Sequence, residues 1–550
     1  MPWSGLLAGS CALPAISAFR REAYLTSEIL TYASGVGFLG LLAWATNPGS
    51  SILAGAFWLI GCLTGFGMVT WSYRSGVQWI DGLYARLTRR SRLARAGKTD
   101  VRTVADVLPV PKRAYDPRSY YQGGNSESFF MGLDEWGRAI QWQGPLPHLA
   151  IAGTTGSGKG RKLQCLSVQS VAKGEFLCYL DPKDDEYGAH VVHAACSAYG
   201  KSYHYLRLLP ESSPQINLMA GAKAWEIEEL LIAGMDLSDL GGPSDFYQAK
   251  NRKAARDAAC IASQEGLTLA QLYRRFSQDS YWQEEAPGFL DKLGELATVD
   301  AINAQTGAYS LPDMMETGGA IYVVGSMTLN AVLRAQQMIF VRLQQLATDR
   351  DRLAGSLKTV CVIADEMRFH ITRPVIRGLA TSRDKGMRVV LAFQSFGDLK
   401  DCPASMTPEM VESAIIENCK AKLIYRVEDP DTADWLARKS GIIQTDDETK
   451  VITRNIALAE TIDGERMIRQ ADHYLIDSNM FTNLPAGCGV LFGQGLARTC
   501  HVSPVPVTKC REAITPDSAV PPASDNEAVS APGEPSVLRR RPDDDFFALE

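Results

Sequence analysis

The chain has 550 residues, more than one ordinary domain, and a 46% hydrophobic content ample for a large core. Its net charge of −6 is unevenly spread: nine acidic against four basic residues in 511–550 account for five of those charges. A near-neutral body excludes a globally basic nucleic-acid binder, so any such partner has to be met by a local surface.

No charged residue lies between Glu28 and Arg74. Residues 29–46 and 52–71 each approach the roughly 20 apolar residues that cross a bilayer, and Asn47-Pro-Gly-Ser-Ser51 between them is turn chemistry. This predicts a two-helix transmembrane hairpin over 29–71, with Trp44, Trp58 and Trp71 as interface anchors, after a short cytoplasmic segment, 1–28. Arg74, Arg86, Arg89, Arg90, Arg92, Arg95 and Lys98 follow the second span, which by the positive-inside rule puts the bulk of the chain in the cytoplasm. Residues 72–145 form a basic juxtamembrane region and lead-in.

From residue 146 the pattern becomes α/β. Strand-like runs fall at 149–152, 176–180, 203–209, 321–325, 360–364, 389–393 and 422–427, mostly separated by helical stretches, which predicts a parallel sheet covered on both faces. Strand signals vanish over 223–300, where 225–235, 245–264, 267–276 and 286–298 read as amphipathic helices, an all-α insertion. The nucleotide-binding domain is therefore expected over 146–222 and 301–510. Residues 511–550, rich in proline and acidic side chains, form a tail that cannot bury enough surface to fold alone. The twelve cysteines include no C-x-x-C pair, and buried free thiols in a reducing compartment are expected. His190, His193 and Cys196 have a metal-like spacing but lack a fourth ligand, and read as one helix surface.

The chemistry centres on Gly153-Thr154-Thr155-Gly156-Ser157-Gly158-Lys159-Gly160-Arg161, between a buried strand and a helix start. Gly153 to Lys159 fits the phosphate loop G-x-x-x-x-G-K: the glycines turn backbone N–H groups inward, and Lys159 supplies a point charge to the β- and γ-phosphates. The residue that would offer magnesium a hydroxyl is Gly160. About 200 residues later, an apolar strand ends in Asp365-Glu366. There Asp365 would hold Mg2+ and Glu366 would deprotonate the attacking water. A further strand ends in Gln394, placed to sense the γ-phosphate or position water. Arg383 precedes it, where an arginine could reach a neighbouring subunit's nucleotide; Arg377 and Arg388 are barely distinguishable from it on sequence.

These residues, with the hairpin, Leu180-Asp-Pro-Lys183, Asn217 and Asp429-Pro-Asp-Thr-Ala433, resemble the coupling-protein ATPases of bacterial type IV secretion and conjugation over most of residues 29–507. The resemblance implies a RecA-like P-loop domain in a hexameric ring, anchored in the inner membrane, its all-α domain facing the cytoplasm. It gives Lys159 to phosphate, Asp365 to magnesium, Glu366 to catalysis, Arg383 to the trans arginine and Gln394 to the sensor amide; some branches of the family carry glycine at the Gly160 position. The implied function is an ATP hydrolase that brings single-stranded DNA with its relaxase and accessory DNA-binding protein, or a protein substrate, to a type IV secretion channel and drives it across. The tail at 543–550 would bind the accessory protein. Two other readings stand beside it: a non-hydrolysing receptor, and a double-stranded DNA translocase of the chromosome-segregation type.

Overall fold

The computed structural model describes residues 114–516 apart from 122–126, 211, 239–244, 306–308, 352, 354–356 and 455–459. The expected hairpin at 29–71 lies outside the described residues, as does the expected tail, 511–550, from 517 onward; its described start is ordered, a 3-10 turn at Glu512–Ile514 with Ala513 buried and its carbonyl accepting from Tyr203 OH at 2.6 Å. No helix among the described residues is long and apolar enough to cross a membrane.

The larger of two units holds an 11-stranded sheet. In chain order its strands are β1 (Phe129–Leu133), β2 (Ala139–Trp142), β3 (Leu149–Ala152), β4 (Phe176–Asp181), β5 (Tyr203–Arg207), β6 (Gly319–Val324), β7 (Val360–Ala364), β8 (Met387–Phe393) and β9 (Ala421–Ile424). The sheet also takes in β12 (Cys488–Phe492) and β13 (Arg498–His501); their spatial order is β2-β1-β13-β12-β9-β3-β8-β7-β4-β6-β5. From β9 to β5 every pair is parallel. Strands β3, β4, β6, β7, β8 and β9 are buried at every position, which is why they read as unbroken apolar runs rather than alternations. The sheet is mixed, however. β12 runs antiparallel to β9 and β13 antiparallel to β12, which corrects the expectation of a wholly parallel sheet.

The register puts β8 between the phosphate-loop strand and the acidic strand: Leu149 of β3 lies opposite Val390, and Val360 of β7 opposite Met387. Helix α1 (Lys159–Ala172) follows β3, and α2 (Gly188–Ala198) follows β4. Between β5 and β6, ahead of a last short helix that leads into β6, the described residues form α3 (Ala224–Gly234), α4 (Asp245–Glu265), α5 (Leu269–Phe276), α6 (Ser280–Glu285) and α7 (Pro287–Ala297). Ala254, Ala255, Ala258, Ala259 and Ala262 are the buried stripe of α4, and their small side chains allow close helix approach. Thr268 and Gln271 form a capping box that starts α5. Asn217 and Asn303 bridge where the chain enters and leaves this helical stretch. The Asn303 side chain accepts from Ala270 N at 2.8 Å and donates to Val299 O at 2.9 Å. Helices α8 (Leu311–Thr317), α9 (Asn330–Thr348), α10 (Arg373–Thr381) and α11 (Pro408–Asn418) complete the larger unit.

The second unit, in its described part, contains α12 (Pro430–Ser440), the antiparallel hairpin β10 (Ile442–Arg454) and β11 (Glu460–Tyr474), and α13 (Ser478–Thr482). Asp429 caps α12 by accepting from Thr432 N at 3.1 Å.

Candidate nucleotide-binding site

The loop between β3 and α1 is folded by its glycines. A Cβ at Gly158, whose φ is +115°, would sit 2.7 Å from the Gly487 backbone, and one at Gly153 would sit 2.6 Å from Tyr425 Cβ. Backbone bonds secure the loop to both neighbouring strands. Gly153 N donates to the carbonyls of Phe393 and Gln394 at 3.2 and 3.1 Å, Thr154 N donates to Arg426 O at 2.8 Å, and Ser157 O accepts from Gly487 N at 2.8 Å. Ser157 Oγ donates back to Thr154 O at 2.6 Å. No side chain caps the N-terminus of α1, so its first N–H groups are offered to an anion. Lys159 is buried and its ammonium donates to Gly153 O. Burial lowers its proton affinity while the Glu366 charge opposes that shift. Thr155 and Gly156 at the loop tip are exposed, and Arg161 on α1 lies close enough to His501 and Cys488 to perturb both electrostatically.

Asp365 and Glu366 follow β7 and are both buried, 8% and 1% exposed. Burial pushes the Asp365 carboxyl up to about 6, with Lys183 and Lys159 pulling it down. Glu366 has a φ of +53°, a left-handed conformation that residues with a side chain rarely adopt. Its Oε1 pairs with the Lys183 ammonium and lies 3.5 Å from Gln394 Nε2, while Oε2 is buried with no protein partner. Asp398 Oδ2 fixes Gln394 by accepting from its backbone N–H at 2.8 Å. Lys159, Asp365, Glu366 and Gln394 thus gather at the carboxyl ends of three adjacent strands, where ligands bind in open α/β sheets.

Arg383 is not part of this cluster. It lies exposed in a 3-10 turn, Arg383–Lys385, ahead of β8, so the seven residues of that strand separate it from Gln394. At about 3.3 Å per residue the separation is roughly 23 Å, too far to reach phosphates on its own loop. Arg388 is distinguished from it: it is buried, paired with Glu175 and bonded to Ser170 Oγ at 2.8 Å, so it is structural. Arg377 is exposed on α10. The His190–His193–Cys196 spacing lies on α2, where Cys196 is buried and His193 Nδ1 lies 3.4 Å from Cys510 Sγ. No metal-binding group of three His, Cys, Asp or Glu residues occurs among the described residues.

The structure adds Lys183, Tyr425 and Asp398 to the site, residues to which the sequence alone assigns no role. The Asp-Pro-Lys motif was visible; a lysine two residues beyond a strand end beside the acidic strand was the available signal. Tyr425 carries no such signal, because its role depends on strand pairing; Asp398 is signalled locally, by the Ser395-x-x-Asp398 capping box that follows β8.

The family model for the DNA-binding domain of type IV secretion-system coupling proteins matches residues 327–492, a span that includes Asp365, Glu366, Arg383 and Gln394. Mobilization protein A of Escherichia coli is 26% identical over 392 residues, covering 68% of this chain and 72% of that protein. Among solved structures, the unbound bacterial conjugative coupling protein TrwBdeltaN70 superposes with a TM-score of 0.52 at 13% identity, covering 66% of this chain and 87% of that one. TrwB in complex with the non-hydrolysable ATP analogue ADPNP gives 0.50 at 14% identity, covering 66% and 87%. At these identities the structural likeness is one of fold. Taken with the sequence matches, it makes this chain similar to the coupling proteins of type IV secretion and conjugation.

Proposed function

We propose that the chain is a coupling ATPase that recruits DNA with its relaxase to a type IV secretion channel and drives the substrate across by ATP hydrolysis. The observation that carries this is the meeting of Lys159, Asp365, Glu366 and Gln394 at the ends of β3, β7 and β8. Similarity to Mobilization protein A and to a coupling-protein DNA-binding domain supports DNA as the substrate.

ATP would lie with its phosphates in the loop and on the N-terminus of α1, its β- and γ-oxygens compensated by Lys159. The donor set fits magnesium: of the two buried carboxylates after β7, Glu366 is held by Lys183, and Asp365 suits a cation that keeps several waters and arrives with the phosphates. A Cβ at Gly160 would meet nothing within 4 Å, so the place of the missing hydroxyl is open to water. Bound magnesium would neutralise charge developing on the phosphoryl oxygens. Glu366 Oε2 takes a proton from water as the water oxygen bonds to the γ-phosphorus. The bond to the bridging oxygen then breaks and its electron pair leaves with ADP. Gln394 orients that water beside Glu366.

Arg383 would serve a neighbour's nucleotide, which its distance from its own loop favours, and this requires a ring, taken as a hexamer. Residues 29–71 would anchor that ring in the inner membrane, and 543–550 would bind an accessory DNA-bound protein. Lys159→Ala and Glu366→Gln test the reading in ATP turnover and in DNA transfer between cells. Loss of both activities is expected, and normal transfer by both variants overturns the motor. Transfer that is lost only with Lys159→Ala, without any ATP turnover by the unsubstituted protein, would favour a non-hydrolysing receptor, the reading to which Gly160 lends support.

A further inference from the structure

The Asp181-Pro182-Lys183 turn is built with more care than a strand exit requires. Asp181 ends β4 with no exposed surface, and its carboxylate accepts three bonds: Tyr322 OH at 2.6 Å, Asp185 N at 2.7 Å and Lys183 N at 2.9 Å. Tyr322 comes from β6, itself fully buried and stacked on Tyr179 with ring centroids 4.9 Å apart. Pro182 fixes the backbone between them. The turn is therefore held from the core, and what it presents is Lys183.

The Lys183 ammonium pairs with Glu366 Oε1, one strand away, since β4 and β7 are neighbours. Gln394 Nε2 approaches the same oxygen from β8, on the other side of β7. One oxygen of the carboxylate is thus engaged from both flanks, and the other, Oε2, is buried and free of protein partners. A carboxylate with a mobile side chain would present either oxygen. This one is oriented. The left-handed backbone at Glu366 adds to the need for an external hold, because such a conformation persists only when its surroundings enforce it.

Resting on the hydrolysis reading above, we propose that Lys183 is a positioning residue for the general base: by holding Glu366 Oε1 it makes Oε2 the oxygen that takes the proton from the attacking water. Lys183 acts through Glu366 and not on the phosphates. The Asp-Pro-Lys motif then has a division of labour, in which Asp181 anchors the turn, Pro182 sets its course and Lys183 aims the base.

The test is steady-state ATP turnover, with nucleotide affinity from a fluorescent ATP analogue, for the full-length protein and the variants Lys183→Met, Lys183→Arg, Glu366→Gln and the double variant Lys183→Met/Glu366→Gln. Lys183→Met is expected to lower kcat roughly ten- to a hundredfold, part of what general-base catalysis supplies, with nucleotide affinity and the KM for ATP little changed. Lys183→Arg, which keeps the charge and a donor, should recover part of the loss. The double variant should turn over at the residual rate of Glu366→Gln alone. A normal kcat in Lys183→Met, or a loss confined to affinity, overturns the assignment. So does a further fall when Lys183→Met is added to Glu366→Gln, which would mean that Lys183 acts on the phosphates directly. Wild-type turnover by Glu366→Gln would overturn the hydrolysis reading itself, and this assignment with it. Lys183→Met unfolding at a lower urea midpoint than Lys183→Arg, with kcat per folded molecule unchanged, would also overturn it.

Discussion

His148, immediately before β3, makes the strand that carries the phosphate loop sensitive to acid. Its ring is 1% exposed and both nitrogens are used: Nε2 lies 3.0 Å from Leu379 O, and Nδ1 accepts from Val389 N at 2.9 Å. Only the neutral tautomer with its proton on Nε2 satisfies both partners. Burial lowers the pKa from 6.5 to about 4, opposed by the Leu379 bond and assisted by the charges of Arg383 and Arg388. The unfolded state therefore binds this proton more readily than the folded one. The stabilisation is complete above 6.5 and is lost as pH falls from there towards 4. From those two values the loss is about 2 kcal/mol at pH 5 and about 3 kcal/mol at lower pH. His148→Gln keeps a donor and an acceptor without titrating. Urea unfolding of both proteins at pH 7 and pH 5 isolates the effect, since every other titrating group is shared. At pH 7 the substitution should cost roughly 1 kcal/mol or less. The difference should move by about 2 kcal/mol in favour of the glutamine variant at pH 5. An unchanged difference between the two pH values would refute the account of His148.

The glycines of the phosphate loop should separate cleanly. Gly158→Ala forces a Cβ onto the Gly487 backbone at a φ of +115°, so a loss of about 1–3 kcal/mol and of nucleotide binding is expected in urea unfolding and fluorescent-nucleotide titration. Gly160→Ala, with open space around its Cβ, should bind normally and gain about 0.5–1 kcal/mol from the helix. Gly160→Thr should lower the magnesium concentration needed for half-maximal ATP turnover, because it adds a hydroxyl where none stands now; an unchanged requirement would mean the threonine hydroxyl does not reach the cation. Arg388→Met strands the buried Glu175 carboxylate and should cost about 3–5 kcal/mol in urea unfolding, marking this arginine as a structural one. Asp398→Ala should lower kcat for ATP by releasing Gln394, without weakening nucleotide affinity.

What could be read from the sequence was what is written locally. The phosphate loop, the buried strands of the parallel core and the Asp365-Glu366 strand end each lie within a few consecutive residues; β3 and β7 were found with the expected bounds and the other expected strands with one or both ends shifted by one to three positions. β9, for example, stops at Ile424 rather than continuing to 427, because Tyr425 and Arg426 turn to meet the phosphate loop. The edge strands beyond β9 were missed: β2 and β13 are only four residues long and begin exposed, while β1 and β12 are apolar runs of five that the alternation of strand and helix does not mark. The hairpin β10–β11 mixes charged residues throughout, as in Thr445-Asp446-Asp447-Glu448, and offers no apolar face to read. Pairings across the sheet were beyond local pattern altogether. Lys183 and Glu366 are 183 residues apart, and only the placing of β4 beside β7 joins them. The same holds for Arg388, indistinguishable from Arg383 by sequence and separated from it by burial beside Glu175.

The most direct measurement of the central claim is ATP turnover by the purified full-length protein with Mg2+ and single-stranded DNA, set against Lys159→Ala and Glu366→Gln. The account predicts turnover that needs both side chains, with Glu366→Gln still binding ATP and Lys159→Ala binding it weakly. Turnover at the unsubstituted rate in Glu366→Gln would contradict it.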